Sequence, residues 1–189
     1  EQYLGGCFTC LIAAALLLTA VFELFGERLL WLFGASGDTI VYALPYMRIY
    51  AAGSIFVMLG MGMNLFITTQ GFAGYSMASV VIGAVSNIVL DPILIFSLSM
   101  GVQGAAIATI ISQALSAAFV LRFLFGKKTI LRVRREFLRP QWALMKKTLG
   151  LGLAPFVVQT TEAAVSISFN ASLQRYGGDL AVGAMTVAS

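Results

Sequence analysis

The sequence contains no histidine, only two cysteines and four prolines, and charged residues make up no more than 11% of its 189 positions. Each scarcity excludes something. Without histidine, the usual base of a serine or cysteine nucleophile is missing, as is the commonest nitrogen ligand for zinc. The cysteines stand at Cys7 and Cys10 in "CFTC", at the start of an apolar run and with no second pair, so they read as packing residues. No phosphate-cradling glycine loop, nucleophile elbow or metalloprotease motif occurs, and nothing points to ATP or to an enzyme. The shortage of charge excludes a water-dispersed domain, because too little polar surface exists to cover a folded chain of this length.

What is present is apolar. Such residues reach 59% before glycine is counted, whereas a soluble domain reaches roughly 45 to 50% with glycine included. The implied solvent is lipid, and length becomes a count of spans at about 20 residues each. Five are expected, from about Tyr3 to Phe22, Tyr42 to Thr68, Tyr75 to Leu98, Val102 to Phe125 and Thr148 to Leu173, with a sixth element beginning in "YGGDLAVGAMTVAS". The uncharged run from Ile49 to Leu90 is too long for one crossing at about 1.5 Å per residue, so it is expected to fold back at "TTQGFAGYS". "FGERLLWLFGASGD" is read as the connection between the first two spans. A chain that opens on Glu1 and ends within an apolar run is expected to be an internal piece of a longer protein.

Nine of the twelve basic residues fall between Arg122 and Lys147. The positive-inside rule makes that connection cytoplasmic. Its mixture of Arg, Leu, Phe and Trp142 suggests an amphipathic helix at the membrane surface, joining one bundle to the next. The expected organisation is therefore a lobe over 1–125, a basic linker over 126–147 and the start of a second lobe over 148–189. The basic run reads as a topology signal with lipid headgroup contact, and a nucleic-acid partner is excluded because an exposed face with stacking aromatics is missing.

Two carboxylates lie in apolar spans. Asn87 and Asp91 in "NIVLDPILIF" are four residues apart and share one helical face. Pro92 has no N–H to give to the Ile88 carbonyl, so a carboxylate, a carboxamide and a freed carbonyl gather in one turn. That set suits a hard cation such as Na⁺, or a carboxylate that cycles between protonated and charged forms. The structural alternative is an Asp near a helix end that reaches the headgroups or caps the turn at Ser97. In the next span Gly104, Ala108 and Ser112 form a stripe of small residues that permits close helix approach, and Thr109 beside it offers a hydroxyl.

Glu162 lies midway between Lys147 and Arg175, near the expected bilayer centre, where a charge costs roughly 2.5 to 3.5 kcal/mol on insertion scales. It is either a neutral group hydrogen-bonded between helices or part of a wet cavity. Gln159, Ser166 and Asn170 continue a polar stripe along the same span.

"SNIVLDPILIF" followed by "GVQGAAIATIISQ", together with "PYMRIY", "APFVVQ" and "YGGDLAVGAM", resembles the multidrug and toxic compound extrusion (MATE) transporters, in spacing closest to the DinF-like and MepA-like bacterial branch. The resemblance covers almost the whole chain, as the third to seventh helices and the start of the eighth in an all-α, twelve-helix membrane bundle of two lobes. It implies a cofactor-free antiporter in the plasma membrane, driven by H⁺ or Na⁺ and exporting amphipathic, often cationic, organic compounds. It also implies that Asp91, Asn87 and Thr109 form the coupling site, with Na⁺ held at Asp91 and Asn87, and that an aspartate preceding this chain completes it. Glu162 stands on the helix where another branch places its carboxylate, with Gln159, Ser166 and Asn170 on the same cavity wall. The uncharged turn at Gln70 and Gly71 departs from the charged loop usual in the family. A lipid-linked oligosaccharide flippase of the same superfamily is the alternative, and would call for basic side chains that the third and fourth spans lack before Arg122. A structural membrane subunit is the alternative from another class.

Overall fold

A computed structural model describes residues 1–126, 129–133, 135–137 and 142–188; at 135, 142–144, 179–184 and 186–188 it describes the backbone alone. Its elements are α1 (Gln2–Leu32), α2 (Gly37–Ala52), α3 (Ser54–Thr69), α4 (Ala73–Pro92), a π-helical turn (Ile93–Ser97), α5 (Gly101–Leu124), a short 3₁₀ turn (Arg135–Phe137) and α6 (Trp142–Ala188). No strand occurs among the described residues. The chain is all-α, as its composition requires.

The first helix is longer than expected. It runs on through "FELFGERLLWL" to Leu32, where the charges of Glu23, Glu27 and Arg28 suggested a connection. Those residues are strong helix formers, and Glu23 lies 3.8 Å from Arg48 of α2 in a partly exposed ion pair. The true connection is four residues, ending in a capping box at Ser36 and Thr39.

The second span is broken. Helices α2 and α3 meet at Gly53 with a bend of 52°. The elbow is held from both sides. Thr19 of α1 donates its hydroxyl to the Ala51 carbonyl at 2.8 Å and shares a hydrogen bond with the Ser54 hydroxyl at 3.0 Å, which satisfies backbone that the break exposes. On the other side, any Cβ at Gly53 would run into Ile110 of α5. Glycine lets the elbow and α5 touch.

Helix α4 ends at Pro92, after which the chain widens into the π turn, with the Leu98 N–H bonded to the Ile93 carbonyl at 3.0 Å. Positive φ at Ser99 and Gly101 then reverses the chain into α5. The small-residue stripe works as spacing suggests. A Cβ on Gly104 would stand 2.7 Å from the Leu94 carbonyl oxygen, and one on Gly83 would stand 3.4 Å from Ser116 Cβ. Close approach of α4 and α5 follows.

At the opposite end of these helices sits an apolar cluster built on Leu4, Leu59, Met63, Ile67, Val120, Phe123, Leu124 and Val133. Phe123 packs edge-on against Phe72 at 5.2 Å and lies tilted against Tyr75 at 4.7 Å. Gln70, in the turn between α3 and α4, joins this end to the segment after α5. Its carboxamide oxygen accepts from the Thr129 hydroxyl at 2.7 Å, the Ile130 N–H at 3.0 Å and the Leu131 N–H at 2.8 Å, while its amide donates to the Phe66 carbonyl at 2.8 Å.

The expected amphipathic linker helix is thereby corrected in part. Residues 129–133 are not helical, because their N–H groups are taken by Gln70 and Val133 turns into the apolar cluster. Lys127, Lys128, Arg134, Leu138, Arg139, Pro140 and Gln141 lie outside the described residues.

Among the described residues, α1, α4 with its π turn, and α5 are each long and apolar enough to cross a membrane, and the bent pair α2–α3 qualifies as one broken span. The fifth expected span lies within α6, which does not qualify, since "QTTE" interrupts its apolar run. The backbone leaves helical geometry at Gly178, with φ of 64°, where the sixth element was expected to begin.

Candidate functional site

Asn87 and Asp91 meet as their spacing predicts. The Asn87 amide donates to Asp91 Oδ1 at 3.2 Å, one turn below the proline that ends α4. Both side chains are half-buried. The carboxylate keeps its remaining acceptor capacity for a further donor or a cation.

Asn87 also lines a cavity of about 260 Å³ between α3, α4 and α5. Thr109 lines the same cavity from α5, so helix packing brings it to the Asn87 side of the cluster. Its hydroxyl donates to the Ala105 carbonyl of its own helix at 2.9 Å, which leaves the oxygen lone pairs as acceptors. Asn64, Ser112, Gln113 and Ser116 complete a polar wall. The buried Oδ1 of Asn64 and Oγ of Ser112 have no hydrogen-bond partner. Neutral oxygens of this kind suit water or a hard cation. No charged side chain lines this cavity among the described residues.

Sequence reasoning passed over Asn64, Gln113 and Ser116, and took Ser112 for a spacer. The signal was present at Asn64, an amide in the otherwise apolar "GMGMNLF". Its neighbours gain meaning only once α3 lies beside α5.

Glu162 sits elsewhere. It projects from α6 with Gln159, Ser166 and Asn170, and all four side chains are exposed. Among the described elements α6 packs against α1 alone, so this stripe and the Asp91 cluster form two separate sites. The hydroxyls of Thr160 and Thr161 turn back to the carbonyls of Phe156 and Val157 on their own helix.

Comparison with known proteins agrees with this architecture. Residues 1–93 match the MatE family model. The Multidrug export protein MepA of Staphylococcus haemolyticus is 30% identical over 162 residues, covering 85% of this chain and 36% of that protein. The chain thus spans about a third of the length of such relatives. Among solved structures, the MATE multidrug transporter DinF-BH superposes with a TM-score of 0.94 at 33% identity, over 100% of this chain and 42% of that one. A MATE transporter of the MOP superfamily in an inward-facing conformation gives a TM-score of 0.85 at 25% identity, over 98% and 48%. Polytopic apolar helices, a proline-ended helix carrying an Asn–Asp pair and these likenesses converge: the chain belongs to the MATE family, whose members are membrane transporters and not enzymes.

Proposed function

We propose that the whole protein is a cation-coupled antiporter of the plasma membrane that exports amphipathic, often cationic, organic compounds. The observation that carries this reading is the hydrogen-bonded Asn87–Asp91 pair at the edge of an uncharged polar cavity. A carboxylate so placed binds H⁺ or Na⁺ in one shape of the lobe and releases it in the other. The difference in affinity between the two shapes drives the cycle. Asn87 orients Asp91, and Thr109 supplies an oxygen from the facing helix. Multidrug export is what the name of the MepA relatives states for them, and multidrug transport what the DinF-BH name states.

Residues 1–125 then supply most of one lobe and 148–189 open the next, with the basic segment facing the cytoplasm. The uncharged cavity favours export of cationic compounds over flipping of an anionic lipid carrier, which calls for basic groups along its path. A drug-accumulation assay on the full-length transporter, run with and without a Na⁺ gradient and across pH, tests the reading. Export that ignores both gradients overturns it, and dependence on one of them names the coupling ion.

A further inference from the structure

The "CFTC" pair acquires a third sulfur that spacing does not reveal. Cys7 and Cys10 lie three residues apart on α1, and thus on adjacent positions of one helical face. Met145, from the start of α6, comes in across them. Its thioether sulfur lies 3.4 Å from Cys10 Sγ, joining residues 135 positions apart. All three side chains line one apolar cavity, of about 430 Å³, between α1, α3 and α6. We propose that Cys7, Cys10 and Met145 form a binding site for a soft monovalent cation, Cu⁺ or its redox-inert analogue Ag⁺.

The donor set selects the ion. Two thiols and a thioether are soft ligands, which favour Cu(I) over the harder divalent ions. A zinc site calls for four donors drawn from Cys, His and carboxylate, and no group of three or more His, Cys, Asp or Glu occurs among the described residues. The Cys10–Met145 separation is close to what is needed. At a metal–sulfur bond of about 2.3 Å, trigonal coordination places sulfurs about 4 Å apart. Cys10 and Met145 at 3.4 Å must therefore separate by only about half an ångström, a side-chain adjustment.

Charge and access are compatible. Cys10 is exposed and Cys7 half-buried among the described residues, while Met145 at 5% exposure gives a fixed wall. On binding, the two thiols release their protons to solvent, the metal keeps its oxidation state, and the complex carries one negative charge. Lys146 and Lys147, the next two residues of α6, put positive charge within one helical turn of Met145. Because α6 packs against α1 among the described elements, the bound ion ties the two helices together.

The test is a Cu⁺ titration of the purified full-length transporter under anaerobic conditions, against a chromophoric Cu⁺ chelator such as bicinchoninate. The parent is expected to withhold one more Cu⁺ from the chelator than Cys7→Ser or Cys10→Ser. Met145→Leu is expected to bind about tenfold or more weakly, and Met145→Cys to regain tight binding. X-ray absorption of the parent should show a shell of three sulfurs. A second measurement needs no variant: one equivalent of Ag⁺ should protect both Cys7 and Cys10 from alkylation, read by mass spectrometry. Equal Cu⁺ retention by the parent and Met145→Leu, or alkylation of Cys7 and Cys10 unaffected by Ag⁺, overturns the proposal. Neither result bears on cation-coupled export, which is read by a separate assay.

Discussion

Asp91 and Glu162 are both carboxylates in helices of a membrane protein, yet among the described residues it is Asp91 that has a hydrogen-bonded neighbour and a cavity beside it. Asp91 ends a helix at a proline, accepts from Asn87 and adjoins a cavity walled by three helices. Glu162 stands mid-helix on an exposed face whose hydroxyl neighbours are satisfied by their own backbone. The difference teaches what converts an expensive residue into a site. A lone carboxylate in a span is only a cost; a hydrogen-bonded partner, a broken helix end and facing oxygens give it a ligand to exchange. The proposed coupling therefore rests first on Asp91.

The largest effect expected is that of Asp91→Asn. This substitution keeps size and hydrogen-bonding capacity and removes the only ionisable group of the cluster. Export coupled to a gradient should be lost altogether in the full-length transporter, with the amount of protein in the membrane unchanged on immunoblot. Normal export would erase the distinction drawn between the two carboxylates.

How much of this contrast could be read from the sequence depended on how local its causes were. The Asn87–Asp91 bond is one helical turn within one segment, and it was legible from a spacing of four. The close approach at Gly104 was legible for the same reason, since small residues along one stripe have few other uses in lipid. The bend at Gly53 was not, because it is held by Thr19 on one side and Ile110 on the other, residues remote in the chain. The polar wall of Asn64, Ser112, Gln113 and Ser116 was likewise hidden until three helices were packed together. The extension of α1 to Leu32 was missed because charge was weighed above helix propensity, and Arg48, which pairs with Glu23, lies on another helix.

Close packing between α4 and α5 should matter next. Gly104→Val places a branched side chain where even a Cβ lies 2.7 Å from the Leu94 carbonyl oxygen. The helices must separate, at a cost of about 1 to 3 kcal/mol, and Thr109 moves away from the Asn87 side of the cavity. A lower unfolding temperature together with several-fold weaker export is expected; Gly104→Ala should show a smaller loss of both. A valine variant with parental export would show that the distance between these helices is unimportant to the site.

A different end of the molecule gives a third and smaller effect. Gln70 accepts three hydrogen bonds that tie the α3–α4 turn to the segment after α5, and donates a fourth back to Phe66 of α3. Gln70→Leu keeps the bulk and removes the acceptor. It should lower stability by about 2 kcal/mol, given roughly 0.5 to 1.5 kcal/mol per bond and partial replacement by water. Hydrogen exchange at Ile130 and Leu131 should quicken. Unchanged exchange there would mean that the loop is held by Val133 and the apolar cluster instead.

The smallest effect is expected at Glu162, and it decides whether the second carboxylate has any part in the cycle. Glu162→Gln preserves shape and hydrogen-bonding capacity while removing the group that can take up a proton. Gln159, Glu162, Ser166 and Asn170 form an exposed polar stripe among the described residues. If it borders the passage taken by protons or cationic compounds, loss of the charge lowers export a few-fold and flattens its dependence on pH. If Glu162 is a neutral hydrogen-bond partner of another helix in the whole transporter, glutamine serves as well and the pH profile stays that of the parent. Measuring export across pH 6 to 8 in the parent, Glu162→Gln and Gln159→Leu separates these cases. The leucine variant breaks the stripe without touching charge, so it should weaken export while leaving the shape of the pH profile intact. A pH profile identical in the parent and Glu162→Gln leaves Asp91 as the sole coupling carboxylate of this chain.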